Sequence, residues 1–168
     1  MNEAKKLIDT PSQTAGPFLH IGCTPRITGI NIFKSELGLT PFQDISDNEA
    51  INIKGKIYDG NDEPIIDAMI ETWQCDANGD YSSNQGFARI VTDFKTGEYQ
   101  LKTICPGNKI NTDGSLSASY ITFWIVARGM NRPLITRMYF LENDLRNDVM
   151  FKNLNIQFDF IIDDGLHT

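Results

Sequence analysis

The sequence has little of what metal and acid–base chemistry most often uses. Only two histidines occur in 168 residues, His20 and His167, and neither sits in a Ser-His-Asp or Cys-His arrangement. The three cysteines, Cys23, Cys75 and Cys105, are scattered, odd in number and lack CxxC spacing. Neither a disulfide framework nor a structural zinc site is therefore indicated, and buried free thiols are expected. Basic residues are in the minority. Lys+Arg 15 against Asp+Glu 22 leaves a formal net charge of −7, so a phosphate backbone or an anionic membrane surface would be repelled. No apolar run approaches the roughly 18 to 20 residues of a membrane span, and MNEAKKLIDTPS has no signal-peptide core. The expectation is a cytoplasmic protein with neither nucleic-acid nor membrane partners.

Phosphate-cradling glycine motifs are missing as well. Gly55, Gly60, Gly79, Gly97 and Gly107 fall at strand starts or turns, outside any G-x-G-x-x-G or P-loop pattern. The turn carboxylates Asp59, Asp76, Asp80, Asp93 and Glu98 follow no EF-hand spacing and read as solvated. No internal repeat or low-complexity segment is present.

What remains is an ordinary globular composition, with 40% hydrophobic, 22% charged and 10% aromatic residues, enough for one compact core. Residues 1–50 hold Pro11, Pro17, Pro25 and Pro41 and no sustained period, and read as an extended arm. Ile21, Ile27, Ile30, Ile32 and Phe33 make that arm apolar, so it should pack on its own domain or on a partner chain. From residue 51 the pattern changes. INIKGKIY at 51–58 alternates apolar and polar positions, the period of a half-buried strand. Further strands are expected at 65–74, 87–94, 98–104, 119–128, 134–140 and 155–162, separated by turn-rich segments and by a polar loop at 108–117. A short helix is expected around 142–149. Residues 51–168 thus read as one all-β domain, an antiparallel β-sandwich.

Several segments carry a resemblance. TPSQTAGP at 10–17 with LHIG at 19–22, GKIYDGNDEPIIDAMIETWQCDANGDY at 55–81, TDFKTGEYQLKTICPG at 92–107 and ARGMNRPLITRMYF at 127–140 stand in the order found in one family. The chain resembles the intradiol ring-cleaving dioxygenases, on their protocatechuate 3,4-dioxygenase alpha-subunit branch, over nearly its whole length. The resemblance implies an intradiol-type β-sandwich and a homologous beta-subunit partner that carries ferric iron on two tyrosines and two histidines. Ferric iron binding a catechol dianion suits hard phenolates completed by imidazoles.

Carried over position by position, Tyr81 after WQ-x-D/N-A-x-G-x matches one ligand, whereas Tyr120 and Thr122 stand where the His-x-His pair would lie. The 108–117 loop holds neither a tyrosine nor an arginine. The resemblance therefore implies no cofactor in this chain, Fe(III) in the partner, and an alpha-type role. Thr14, Gly16, Pro17 and Phe18 would wall a shared pocket for an aromatic dihydroxy acid and O2. Phe18 replaces the usual tyrosine and so lacks its hydroxyl. Arg128 would attract or orient the substrate carboxylate, or else pair with a surface carboxylate. Arg137 reads as structural. Against the family, the span between Phe140 and Asn155 is short. Two readings stand beside this one: a degenerate β-sandwich acting as a structural or ligand-binding module without catalysis, and an autonomous enzyme with a rearranged metal site.

Overall fold

The structure, a computed structural model, describes residues 8, 10, 11, 13–34, 37–46, 49–81, 85–140, 148 and 150. The expected helix at 142–149, apart from residue 148, and the expected strand at 155–162 lie outside these residues. Among the described residues eight strands follow the arm: β1 (Ala50–Lys56), β2 (Met69–Trp73), β3 (Phe87–Val91), β4 (Glu98–Ile104), β5 (Lys109–Ile110), β6 (Leu116–Ser117), β7 (Tyr120–Val126) and β8 (Leu134–Tyr139). They form a four-stranded antiparallel sheet, β3-β2-β7-β8, and a two-stranded antiparallel sheet, β1-β4. β5 and β6 pair as a small hairpin inside the polar 108–117 loop.

The two main sheets meet face to face, as the alternation predicts. From β2 and β7 and their ends, Ala68, Ile70, Ile121, Phe123, Ile125 and Ala127 form the buried cluster. Ile53 and Ile57, from β1 and its end, and Tyr99 of β4 pack against it, with the Tyr99 and Phe123 rings 6.1 Å apart. Gly55 is needed here for space, since its register partner Tyr99 lays its ring where a Cβ would stand. β2 is shorter than its apolar run suggests. Pro64 bridges Tyr58 across the 59–63 turn, and residues 66–67 turn before the strand begins.

A polar bridge joins the sheets at one end. Gln74 is 1% exposed; its side-chain amide donates to the Ile104 carbonyl at 2.9 Å and accepts from the Thr103 hydroxyl at 2.7 Å. The WQ motif thus does structural work through its glutamine, closing the hydrogen bonds of a buried hydroxyl and a part-buried carbonyl on the opposite sheet.

The first fifty residues contain more regular structure than their prolines suggest. A helix, α1 (Leu19–Cys23), and a 3-10 turn at Pro25–Thr28 interrupt the arm. Pro25 opens the 3-10 turn, where no N–H is required, and Gly29 ends it at φ 84°. The arm then follows the β3 edge. Gly38 accepts the Arg89 N–H at 2.8 Å, Pro41 accepts the Gly86 N–H at 2.7 Å, and Arg89 Nη1 donates to the Cys23 carbonyl at 3.2 Å.

Candidate functional site

The chemistry-bearing residues gather at two places. The first is the outer face of the four-stranded sheet, opposite the core. Antiparallel register aligns Phe87, Trp73, Thr122 and Arg137 in one row across β3, β2, β7 and β8, and pairs Tyr120 with Tyr139. Tyr81 reaches this face from the turn after β2. There Asp76 Oδ1 accepts the N–H groups of Asn78 and Asp80, each at 2.9 Å, and Gly79 adopts φ 81° against the Asn108 carbonyl. The Tyr81 ring stacks on Trp73 at 6.3 Å and lies beneath the Lys109 ammonium at 4.9 Å. Its hydroxyl lies near Tyr120 and the Cys75 thiol, whose Sγ donates to the Gly107 carbonyl at 3.4 Å. Burial first, then the neighbouring Tyr120, push the Tyr81 phenol above its ordinary value of 10, so it stays protonated at neutral pH.

Tyr120 is engaged on both sides. Its ring lies 5.7 Å from that of Tyr139, and the Arg137 guanidinium covers it at 4.2 Å while Nη1 donates to the Tyr139 hydroxyl at 3.3 Å. The arrangement is a cluster of phenols and cations whose polar ends serve one another. Among the described residues no three or more His, Cys, Asp or Glu side chains converge as a metal-holding group. Lys109, Cys75 and Tyr139 were not singled out by sequence reasoning. Only the strand register and the seating of the 76–80 turn bring them to Tyr81 and Tyr120.

The second place joins the arm to the end of β7. The Ala15 N–H donates to the Met130 carbonyl at 3.1 Å, and the Gly129 N–H donates to the Ala15 carbonyl at 3.3 Å. This two-way tie sets residues 14–18 beside the turn that carries Arg128. Thr14, Gly16, Pro17 and Phe18 are all exposed, Phe18 by 74%. Arg128 follows the last residues of β7, with its side chain 64% exposed and Nε 3.2 Å from Asp67 Oδ2. Thus Thr14, Gly16, Pro17, Phe18 and Arg128 come together, while Tyr81, Tyr120 and Thr122 form the separate phenol cluster.

His20 and Asp67 complete this second place, and neither was expected there. His20 is 6% exposed, meets Phe94 edge-on at 5.4 Å, and leaves Nε2 without a hydrogen bond among the described residues. Burial holds its imidazole below the ordinary 6.5, against the opposing charge of Asp67 and the neighbouring Ala68 backbone. The sequence signal for His20 was present in LHIG, but only the fold shows that α1 presses it onto the residues preceding β2.

Known proteins show the same sequence pattern. The profile of a family described as Dioxygenase matches residues 34–158. The protocatechuate 3,4-dioxygenase alpha chain of Pseudomonas putida is 38% identical over 141 residues, spanning 80% of this chain and 70% of that one. The alpha chain of the same name from Burkholderia cepacia is 31% identical over 151 residues, spanning 84% and 74%. In fold, the chain is similar to the dioxygenase domain of a carbohydrate-binding fusion from Streptomyces sp. SirexAA-E, with TM-score 0.56 and 22% identity over 84% of this chain and 82% of that one. It is equally similar to catechol 1,2-dioxygenase from Pseudomonas arvilla C-1, with TM-score 0.56 and 21% identity, covering 64% of this chain but only 40% of that longer one. Sequence pattern, antiparallel fold and alpha-chain homology agree: the chain belongs to the intradiol dioxygenase family, among relatives of the protocatechuate 3,4-dioxygenase alpha chains.

Proposed function

We propose that this chain is an iron-free, alpha-type subunit that supplies pocket wall and assembly surface to a homologous iron-bearing beta subunit. The assembled enzyme inserts both atoms of O2 between the adjacent hydroxyl-bearing carbons of an aromatic dihydroxy acid, giving a cis,cis-muconate-type diacid. The observation that carries the reading is the state of the phenol cluster. A ferric centre draws on anionic phenolates and imidazoles. Here the Tyr81 ring is stacked on Trp73, and the strand beside it brings Tyr120 and Thr122, not imidazoles, to the same sheet face. Thr122 offers only a hydroxyl where the family places an imidazole. This donor set does not suit ferric iron, and no step of the reaction runs through it.

Two further features support the alpha-type role. Residues 14–18 are tied through Ala15 to the turn after Arg128, and the Phe18 ring and the Arg128 side chain are both exposed. Ile32, Phe33 and Leu37 extend the exposed apolar surface of the arm, as a subunit contact requires. Elemental analysis of the chain expressed alone in iron-replete medium tests the first claim, with near-zero iron per chain expected. About one iron per chain would overturn it and make Tyr81 and Tyr120 the first residues to replace. Co-purification with a homologous chain bearing two tyrosines and His-x-His tests the second, and a stable iron-free homo-oligomer that refuses such a partner would favour the non-catalytic binding module instead.

A further inference from the structure

Packing alone does not hold Arg128, because its side chain is 64% exposed. A long side chain in that setting samples many rotamers, and each ligand it meets must first order it. Asp67 supplies the missing restraint. Its carboxylate is only 21% exposed and lies 3.2 Å from Arg128 Nε. That pair is the guanidinium's one ion pair or hydrogen bond among the described residues.

Both partners stand on well-anchored backbone. Asp67 immediately precedes Ala68, which is fully buried; the Ala68 N–H donates to Thr92 Oγ1 and its carbonyl accepts the Thr92 N–H, each at 3.0 Å. His20 packs from the arm beside Ala68 and within the field of Asp67. Arg128 immediately precedes Gly129 and Met130, which are tied to Ala15. With the stem held through Nε, the terminal guanidinium nitrogens are left as a planar fork of the kind that takes a carboxylate through two parallel bonds.

We propose that Asp67 is a positioning residue, which holds Arg128 so that its terminal nitrogens meet the carboxylate of an aromatic acid beside residues 14–18. The proposal rests on the reading of Arg128 as part of a shared pocket. Two effects of Asp67 oppose each other. Its charge repels an incoming anion, but the anion meets the exposed end of the Arg128 guanidinium, where water on that side weakens the repulsion. Loss of a pre-ordered long side chain weakens binding by about 2- to 12-fold. Ordering therefore wins, and removing the negative charge weakens binding of an anion.

The test is steady-state kinetics of the assembled enzyme with a dihydroxybenzoate and with catechol, which lacks the carboxylate. Asp67→Asn is expected to raise KM for the acid about 2- to 12-fold, leave kcat within about twofold, and leave KM for catechol unchanged. Asp67→Glu should recover part of the loss. The double variant with Arg128→Ala should be no worse than Arg128→Ala alone. An unchanged or lowered KM for the acid in Asp67→Asn, equal losses for acid and catechol, or additive losses in the double variant would each overturn the positioning role while sparing Arg128. An unchanged KM in Arg128→Ala would overturn the pocket role of Arg128 itself, and the role of Asp67 with it. If Asp67→Asn does not fold, Asp67→Glu carries the test alone: a KM raised for the acid and unchanged for catechol supports the role, and any other pattern overturns it.

Discussion

Replacing Gln74 by leucine should destabilise the chain far more than replacing a surface glutamine, because a buried hydroxyl and a part-buried carbonyl on the other sheet depend on it. The leucine occupies similar space but accepts nothing from the Thr103 hydroxyl and donates nothing to the Ile104 carbonyl, both now satisfied by Gln74 at 2.7 and 2.9 Å. Thr103 is fully buried, so water does not replace the lost partner without opening the sandwich. A buried group left unpaired costs about 1–3 kcal/mol, less for the part-buried Ile104 carbonyl, which puts the loss at about 2–5 kcal/mol. Urea unfolding of wild type and variant in the same oligomeric state reads it directly. With a slope of about 2 kcal/mol/M, the midpoint should fall by about 1–2.5 M with the slope unchanged. The double variant Gln74→Leu, Thr103→Val should recover about 1 kcal/mol or more, since it removes one stranded hydroxyl along with its partner. A single-variant loss below about 0.5 kcal/mol, or a double variant no better than the single, would refute the bridge as the junction between the sheets.

Other consequences are equally direct. Thr72 is 1% exposed with an unpartnered hydroxyl, so Thr72→Val should leave stability unchanged or raise it by about 1 kcal/mol; a loss above that size would mean the hydroxyl has a partner. Gly38 holds φ 79° with its Cβ position 2.6 Å from the Arg89 backbone nitrogen, so Gly38→Ala should cost about 1–3 kcal/mol and speed proteolysis within the arm, whereas unchanged cleavage would count against docking there. Burial raises the phenols of Tyr81 and Tyr99, so the unfolded chain releases protons near pH 10 that the folded chain keeps; stability should fall as pH rises above about 10, less so in Tyr81→Phe. Equal alkaline loss in the variant would contradict the buried state of Tyr81. His20 behaves in the opposite sense. Its lowered pKa means the unfolded chain takes up a proton that the folded chain refuses, so stability is lost as pH falls below 6.5, and an NMR titration placing His20 at or above 6.5 would contradict the burial.

Much of the fold was legible because strand parity depends only on local alternation. In β1, Ile51, Ile53 and Gly55 turn inward by period two wherever the strand pairs, and β4 and β7 follow the same rule. The turns were legible for a similar reason, since Asp76 and Gly79 act on backbone within four residues. Where local signals competed, they misled. The apolar run at 65–74 reads as one strand, yet only Met69–Trp73 pairs, and α1 forms in a proline-rich arm that shows no helical period.

By itself the sequence determined the family, the β-rich alternation and the lack of imidazoles at the expected ligand positions, because residue identity and short-range order suffice for each. Tertiary structure alone decided which side chains meet. Tyr120 lies beside Tyr139 because β7 and β8 pair in one register, and a slip of one residue would turn every side chain of β8 to the other face. Asp67 reaches Arg128 across 61 positions of sequence, and Ala15 reaches Gly129 and Met130 across more than a hundred, because sheet closure and arm docking bring those chain ends together. Such contacts depend on loop closure and packing over the whole domain, which no local pattern encodes.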